Sequence, residues 1–204
     1  MPKQTFFNLP IDKKEMLIHA AMKEFSRVSL FEASIANIIK EAGIPRGSFY
    51  QYFEDKDDVF FFLLDEYSKQ NNERFILILK EQDGDLIDTF LIFFQFILKN
   101  FQNLEYRNFF KNAYLNMNHK VENAMTQNAN VEKLNNHLSE TLSLINTRKL
   151  NITDERETFH IMKIIMAVTL QNLIQVFAKE LSIDEATKIY TLEINLLKKG
   201  LYKE

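Results

Sequence analysis

The 204-residue sequence has no cysteine and no tryptophan, and it contains only four glycines and three prolines. Without cysteine, the chain can form neither a disulfide nor a thiolate metal site. Glycine and proline are the residues that interrupt helices, so their scarcity favours long helices and an all-α fold.

The chain also lacks the features of secreted and membrane proteins. Its longest apolar stretch, 161–177, is interrupted by Lys163, Gln171, Asn172 and Gln175. It therefore falls short of the roughly twenty uninterrupted apolar residues of a membrane span. The first residues contain no hydrophobic signal region, so we expect a cytoplasmic protein.

Catalytic and metal-binding patterns are missing as well. The four histidines are far apart, and no two of them share a helix face at ligand spacing, so we expect no metal and no cofactor. Adjacent carboxylates occur at Asp57-Asp58 and at Asp154-Glu155. Each pair lies at a predicted helix start, where negative charge offsets the helix dipole. We therefore predict that the protein is not an enzyme.

The few helix breakers are concentrated at one place. Gly43, Pro45 and Gly47 lie within five residues of one another. Ser34 is suited to cap a short helix ending near Ala42, Gly43 to leave that helix in a left-handed conformation, and Pro45 to begin the next. This pattern predicts a helix-turn-helix, whose second helix enters the major groove of DNA.

Two longer helices flank this motif. A capping box at Asp12 and Glu15 predicts the start of the first helix, which carries Glu24 on its polar face and fades near residues 27–29. Asp55 is predicted to cap a helix running to about Lys80. At about 1.5 Å per residue that helix is close to 40 Å long.

Helical periodicity continues to the end of the chain. Further helices are predicted at about 86–100, 104–117, 121–147, 154–180 and 184–202, the last opened by a capping box at Ser182 and Glu185. We therefore predict an all-α protein of about nine helices. A three-helix DNA-binding head (residues 1–54) is joined by the long fourth helix to a C-terminal bundle for ligand binding and dimerisation (residues 55–204).

Residues 12–60 resemble the N-terminal DNA-binding domain of TetR-family transcriptional repressors. The matching residues are Leu17, Ala20-Ala21, Phe25, Ser34-Ile35, Ile38, Ala42-Gly43-Ile44, Arg46 to Phe53, Asp55-Lys56 and Phe60. Two positions depart from the family pattern. Ser29 stands where the family usually has glycine, which predicts a strained or reshaped turn, and Ala36 stands where relatives often have a polar or cationic side chain.

The chemistry of these residues and the resemblance together predict a set of DNA-binding residues. Arg46 suits a guanine or a phosphate, Gln51 suits a base edge, and a small Gly47 allows close approach to the groove. Lys56 suits the DNA backbone. The predicted DNA-binding residues are Ser34, Ile35, Arg46, Gly47, Ser48, Tyr50, Gln51, Tyr52 and Lys56. The alternative is a packed core corner in which Arg46 and Lys56 are merely solvated.

The charge of the head is not that of a strongly basic DNA-binding domain. The whole chain has a net charge of −3, and residues 1–60 carry eight Lys/Arg against nine Asp/Glu. DNA contact must therefore depend on a few placed cations and on backbone amides.

Phenylalanines are dense between residues 90 and 110. They either form ordinary core or line a cavity for an apolar or aromatic effector. The resemblance implies a ligand cavity within helices four to eight, and the predicted ligand-binding residues are Phe93, Phe94, Phe110 and Tyr114.

The last two predicted helices, at about 154–180 and 184–202, carry more than one apolar face. One face must pack inside the chain, and the other is available for a second subunit. The resemblance implies a homodimer formed by these two helices from each chain. The alternative is that both faces are buried in a monomer.

These observations predict a homodimeric, sequence-specific DNA-binding transcriptional regulator. The resemblance implies a repressor that releases its operator when a small effector binds the C-terminal bundle. The alternative function is a helical small-molecule-binding or adaptor protein that no longer binds DNA.

Overall fold

A computed structural model describes residues 1–116, 139–154 and 156–202. The α-helices in chain order are α1 (Gln4–Phe7), α2 (Ile11–Arg27), α3 (Ile35–Glu41), α4 (Arg46–Tyr52), α5 (Lys56–Glu81), α6 (Leu86–Asn100), α7 (Leu104–Leu115), α8 (Arg156–Ala178) and α9 (Ile183–Leu201). Residues 139–144 are also helical, and Thr147–Lys149 form a short 3-10 helix. The described residues contain no β-strand, so the predicted all-α class is confirmed.

Most helix boundaries after residue 55 lie within about two residues of the prediction, because local caps and periodicity determine them. The Asp55 carboxylate accepts the Asp58 N–H at 2.9 Å, as a cap of α5. Ser182 and Glu185 form the predicted capping box at α9. The helix predicted at 121–147 falls mostly outside the described residues, and helical backbone has ended by Ile145.

The N-terminal end of the chain differs from the prediction. α2 begins at Ile11 with Pro10 as its N-cap, so Asp12 lies in the first turn. No side chain among the described residues caps this helix, and the predicted capping box of Asp12 and Glu15 is wrong. α1 was not predicted, because four residues are too few to show helical periodicity.

One compact unit comprises Met1–Lys69 and the described part of Phe101–Ala129. In this unit α2 packs against α3 and α7. Leu17, Phe25 and Ile38 are fully buried at the centre. The Asn112 side-chain amide of α7 donates to the carbonyl oxygens of Phe25 at 2.9 Å and Ser26 at 3.2 Å, which satisfies the C-terminal end of α2.

The second unit comprises Gln70–Asn100 and the described part of Asn130–Glu204. Its α8 contacts α6 and α9. α8 is long and apolar enough to cross a membrane by length and composition. Its buried residues, which include Ile165 and Thr169, lie inside the protein, and the Thr169 hydroxyl is 2.7 Å from the Tyr190 hydroxyl of α9. α8 is therefore a core helix of this unit.

In the second unit, a buried polar cluster joins the α5–α6 turn to the end of α9. The Asp85 carboxylate accepts the Tyr202 hydroxyl at 2.6 Å and the Lys149 ammonium at 2.8 Å. Burial alone raises the pKa of Asp85, but hydrogen bonds from Lys149, Tyr202 and the Asp88 N–H together outweigh burial and lower the pKa. Gly84 has φ +76, and a Cβ there would lie 2.4 Å from the Leu144 carbonyl oxygen, so this turn requires glycine.

Candidate nucleic-acid interface

The turn between α3 and α4 has the predicted geometry. Gly43 has φ +62, in the left-handed region that glycine adopts without cost. The Ile44 N–H donates to the Ile39 carbonyl at 3.1 Å, and the Gly43 N–H donates to the Lys40 carbonyl at 3.4 Å. These two bonds form a Schellman motif, which ends α3 sharply. Pro45, with φ −61, then forms the N-cap of α4.

α4 has one buried face and one exposed face. Phe49, together with Phe53 just after the helix, is fully buried and anchors it. The exposed residues are Arg46, Gly47, Tyr50 and Gln51. At helical spacing these four share one side of α4. Ser48 and Tyr52 are half-buried. Six of the nine predicted DNA-binding residues are therefore brought together on one short helix.

Arg46 and Tyr50 contact each other on the exposed face. An Arg46 guanidinium nitrogen donates to the Tyr50 hydroxyl at 3.3 Å, and the guanidinium carbon lies 5.8 Å from the ring centroid. This contact is worth about 0.5–1 kcal/mol at an exposed site. It orients the guanidinium along the helix, while most of its N–H donors stay available to an external acceptor.

The Gly47 position is open towards solvent. A Cβ built there would meet no atom of the described residues within 4 Å, and its φ is not positive. Glycine in a helix is about 0.5–1 kcal/mol less favourable than alanine. Neither the packing nor the backbone of α4 therefore requires glycine at this position.

The start of α3 is held by Glu24 of α2. Ser34 is the N-cap of α3, as predicted, but its side chain makes no capping hydrogen bond. The Glu24 carboxylate instead accepts the Ser34 N–H at 2.8 Å and the Asn37 side-chain amide at 3.0 Å. Ser34 and Ile35 are half-buried, and Ala36 is exposed.

Glu24 is a buried carboxylate, with 5% of its side chain exposed. Burial by itself raises the pKa of Glu24, but hydrogen bonds from the Ser34 N–H, Asn37 and Arg27 outweigh burial and lower the pKa. Arg27 makes two bonds to this carboxylate, at 3.0 and 2.9 Å. Sequence periodicity placed Glu24 on the polar face of α2 and missed this role, because the contact depends on how α2 crosses α3.

Lys56, predicted to bind the DNA backbone, has partners within the protein. Its ammonium donates to the carbonyl oxygens of Phe31 at 2.7 Å and Ala33 at 3.0 Å. It thereby holds the turn that leads into α3. The same turn shows no strain at Ser29: the non-glycine residues with positive φ in the described ranges are Asp83 and Glu180. The strain or reshaping expected from serine in place of glycine is thus not seen as a positive φ.

The predicted ligand-binding residues fall into two groups. Phe110 and Tyr114 belong to the first compact unit, and their ring centroids are 5.7 Å apart. Phe93 and Phe94 belong to the second unit and contact different partners. Phe94 is fully buried and stacks on Tyr190 at 4.0 Å, whereas Phe93 packs edge-on against Phe75 at 5.2 Å. Phe94 therefore has the packing of a core residue.

Two family models match this chain. The model described as "Bacterial regulatory proteins, tetR family" matches residues 17–61, which include α3, the turn and α4. The model described as "Tetracyclin repressor-like, C-terminal domain" matches residues 85–201, more than half of the chain. The chain belongs to the TetR family. In this TetR-family protein α4, at residues 46–52, lies within the segment that the N-terminal model matches.

Curated relatives are similar over a short part of their length. The HTH-type transcriptional regulator HbdR of Aromatoleum sp. (strain CIB) is 36% identical over 63 residues, which is 29% of this chain and 28% of HbdR. The uncharacterized HTH-type transcriptional regulator YvdT of Bacillus subtilis (strain 168) is 42% identical over 57 residues, 28% of this chain and 27% of YvdT. Each match thus spans less than a third of the relative.

Solved structures are similar over nearly the whole chain. The reduced form of E. coli NemR has a TM-score of 0.64 and 19% identity, covering 94% of this chain and 98% of NemR. FadR from Bacillus subtilis, in complex with stearoyl-CoA, has a TM-score of 0.65 and 17% identity, covering 92% of this chain and 99% of FadR. At these identities the likeness shows the TetR-family fold alone.

Proposed function

We propose that this TetR-family chain is a sequence-specific DNA-binding transcriptional regulator. It acts as a homodimeric repressor that releases its operator when a small apolar or aromatic effector binds the C-terminal part. The observation that carries the proposal is the exposed face of α4, on which Arg46, Tyr50 and Gln51 surround a glycine that the fold does not require. An adaptor that does not bind DNA would have no use for this face.

The side chains of α4 suit distinct parts of DNA. Arg46 offers a bidentate donor to a guanine or a phosphate, and Gln51 offers both a donor and an acceptor to a base edge. The hydroxyls of Ser48, Tyr50 and Tyr52 suit phosphate oxygens. We expect Arg46→Ala and Gln51→Ala each to weaken operator binding by about 1–3 kcal/mol, measured by fluorescence anisotropy on a selected operator.

Gly47 provides a sharper test, because its effect on folding and its effect on DNA have opposite signs. Gly47→Ala should leave the fold intact and stabilise α4 by up to about 1 kcal/mol. It should weaken operator binding, because the added methyl group keeps the helix from the groove. Gln70→Ala is the control, since Gln70 is exposed within α5, outside α4 and outside the proposed dimer helices, and alanine is also well tolerated there. Equal operator affinity for both variants and the wild type would contradict the proposal.

A homodimer is supported by apolar side chains left exposed on α9. Ile189, Leu192 and Leu196 are 38%, 63% and 58% exposed and share one face. Ile164 of α8 is 47% exposed. Surface leucines and isoleucines clustered on adjacent helices are typical of a subunit interface. The occupant we propose is the same pair of helices from a second copy, as in the family.

The dimer can be tested by sedimentation. The double variant Leu192→Glu/Leu196→Glu should be a folded monomer with weakened operator binding. Leu104→Glu is the control, because Leu104 is 70% exposed on α7, away from α8 and α9 in sequence. A double variant that sediments as a dimer would contradict this interface.

Release by an effector requires a path from the ligand to the head. α5 is one continuous helix of 26 residues, and the ring of its Phe60 lies 5.1 Å from that of Phe25 in α2, centroid to centroid. α7 lies in the segment matched by the C-terminal family model and also packs against α2. An effector that displaces either helix must therefore disturb α2. The effector must also bind the released conformation more tightly than the DNA-bound one.

The aromatic side chains of the C-terminal part support an apolar or aromatic effector. FadR from Bacillus subtilis was solved with stearoyl-CoA, so acyl-CoA thioesters join aromatic compounds in the first test panel. Operator binding is measured with each compound at saturation. A compound that binds and weakens operator affinity supports the mechanism, and operator affinity that resists every bound compound would count against it.

A further inference from the structure

The N-terminal arm, residues 2–9, meets the C-terminal end of α4. The Lys3 N–H donates to the Tyr52 carbonyl at 2.8 Å, and the Lys3 ammonium donates to the Tyr50 carbonyl at 2.8 Å. The Thr5 hydroxyl donates to the Gln51 carbonyl. The last carbonyls of a helix have no partner within the helix. Here three consecutive ones are satisfied by the arm.

An aromatic contact fixes the arm in this position. Phe6 of α1 is 2% exposed, and its ring lies 4.9 Å from that of Phe53 and 5.3 Å from that of Phe62, centroid to centroid. Phe53 directly follows α4, and Phe62 lies in α5. The arm is therefore packed against Phe53, which also anchors α4, and against α5.

α4 is too short to be stable without contacts from the rest of the protein. A helix of seven residues is far below the roughly 12–15 residues at which isolated helices become even marginally stable. Its orientation must come from contacts at its sides and ends. The Lys3 ammonium is also favourable at a helix C-terminus, where the helix dipole places partial negative charge.

We propose that the N-terminal arm is a positioning element of the DNA-binding surface. By holding the carbonyls of Tyr50, Gln51 and Tyr52, it fixes the end of α4 that carries these three predicted DNA-binding residues. Lys3 and Thr5 act through α4 and do not themselves contact DNA. This inference rests on the proposed function of α4 as the DNA-reading helix.

The test compares the full-length double variant Lys3→Ala/Thr5→Val with three other proteins. Lys3→Arg/Thr5→Ser keeps both donors and should restore the wild-type behaviour. Lys13→Ala removes one exposed cation from α2 and controls for net charge. The wild type completes the set. Two readouts are taken: operator affinity across a salt series, and amide hydrogen exchange of the DNA-free protein, with α9 as the internal reference.

We expect Lys3→Ala/Thr5→Val to weaken operator binding by about tenfold, as when about one dimer in ten holds α4 correctly in both heads. The salt dependence should keep its slope, and α4 amides should exchange faster while α9 amides do not. Unchanged affinity with unchanged α4 exchange would overturn the inference. A lost affinity with a slope reduced by about two, one for each head, and unchanged exchange would also overturn it, because Lys3 would then bind a phosphate directly.

Failure of the proposed function gives a different result. If the wild type itself selects no DNA sequence, the proposal that α4 reads DNA fails for every variant alike. The exchange comparison still decides whether the arm holds α4. Faster exchange of the α4 amides in the double variant supports the contact between the arm and α4, and equal exchange overturns it.

Discussion

Replacing Glu24 perturbs the helix-turn-helix without touching its exposed surface. The carboxylate is buried and joins α2 to the start of α3 through Ser34 and Asn37. Glu24→Gln keeps an acceptor of nearly the same shape and removes only the charge. Glu24→Ala removes the acceptor and leaves the Ser34 N–H without its partner.

The size of each effect follows from the partners. Hydrogen bonds to a charged group contribute about 1.5–3 kcal/mol, against about 0.5–1.5 kcal/mol for neutral ones. Arg27 adds little, because its side chain is 56% exposed and such ion pairs are worth about 0–1 kcal/mol. We therefore expect Glu24→Gln to lower the free energy of unfolding by about 1 kcal/mol. Glu24→Ala should lower it by about 2 kcal/mol, because the N–H of the half-buried Ser34 loses its partner.

The effect of Glu24→Gln should also depend on pH. The pKa of Glu24 in the folded chain lies below its ordinary value of 4.5, so the wild-type charge stabilises the fold above that pH. This stabilisation is lost as the pH falls through the lowered pKa. The difference between the wild type and Glu24→Gln should therefore be constant near neutral pH and should shrink below about pH 4.5.

The assay is urea unfolding followed by circular dichroism, with Glu15→Gln as the control. Glu15 is an exposed glutamate on the same helix, and its replacement should change stability by less than about 0.5 kcal/mol. Glu24→Gln should lower the urea midpoint, and Glu24→Ala should lower it further, while the slope of the free energy against urea concentration stays unchanged. Equal stability of Glu24→Gln and the wild type at neutral pH, or a difference that does not shrink in acid, would refute this reasoning.

Three further substitutions test other parts of the fold. Asn112→Ala removes the α7 amide that binds the end of α2 and should cost about 1 kcal/mol in urea unfolding, whereas Asn108→Ala on the exposed side of α7 should cost almost nothing. Tyr202→Phe should lower the free energy of unfolding by about 1–3 kcal/mol, because the Asp85 carboxylate loses a hydrogen-bond donor. This loss should shrink as the pH falls below 3.8, because the pKa of Asp85 is lowered and its carboxylate stabilises the fold only while it is ionised. Gly84→Ala should lower the melting temperature by several degrees, because its Cβ would overlap backbone atoms at a positive φ. A Gly84→Ala variant that melts with the wild type would show that the turn can move.

Local sequence signals predicted the helices well where a helix begins and ends on its own residues. Ser182 and Glu185 cap α9, Asp55 caps α5, and Gly43 ends α3, each within a few residues of chain. The buried and exposed faces of α4 also followed from spacing, because Phe49 is an aromatic anchor in a polar helix.

The contacts that support the candidate site were not predictable in this way. Glu24 binds Ser34 ten residues later, and Lys56 binds carbonyl oxygens 23 and 25 residues earlier. Asn112 reaches Phe25 across 87 residues. Periodicity indicates which face of a helix is polar, but the partner of a polar side chain depends on how helices cross in three dimensions.

The aromatic residues mark the same limit. A phenylalanine at helical spacing suits a packed core and a cavity wall equally well. The sequence therefore could not show that Phe94 and Phe93 differ in burial. The structure does, because Phe94 is fully buried against Tyr190 while Phe93 is half-buried.

The central claim is that the exposed face of α4 reads a DNA sequence as part of a homodimer. Selection of bound fragments from a random double-stranded library tests it most directly, with Arg46→Ala/Gln51→Ala carried through in parallel. The account predicts that the wild type enriches a near-palindrome whose half-sites lie about one helical turn apart, and that the double variant loses this enrichment. No enrichment by the wild type at low salt, or the same palindrome enriched equally by the double variant, would contradict it.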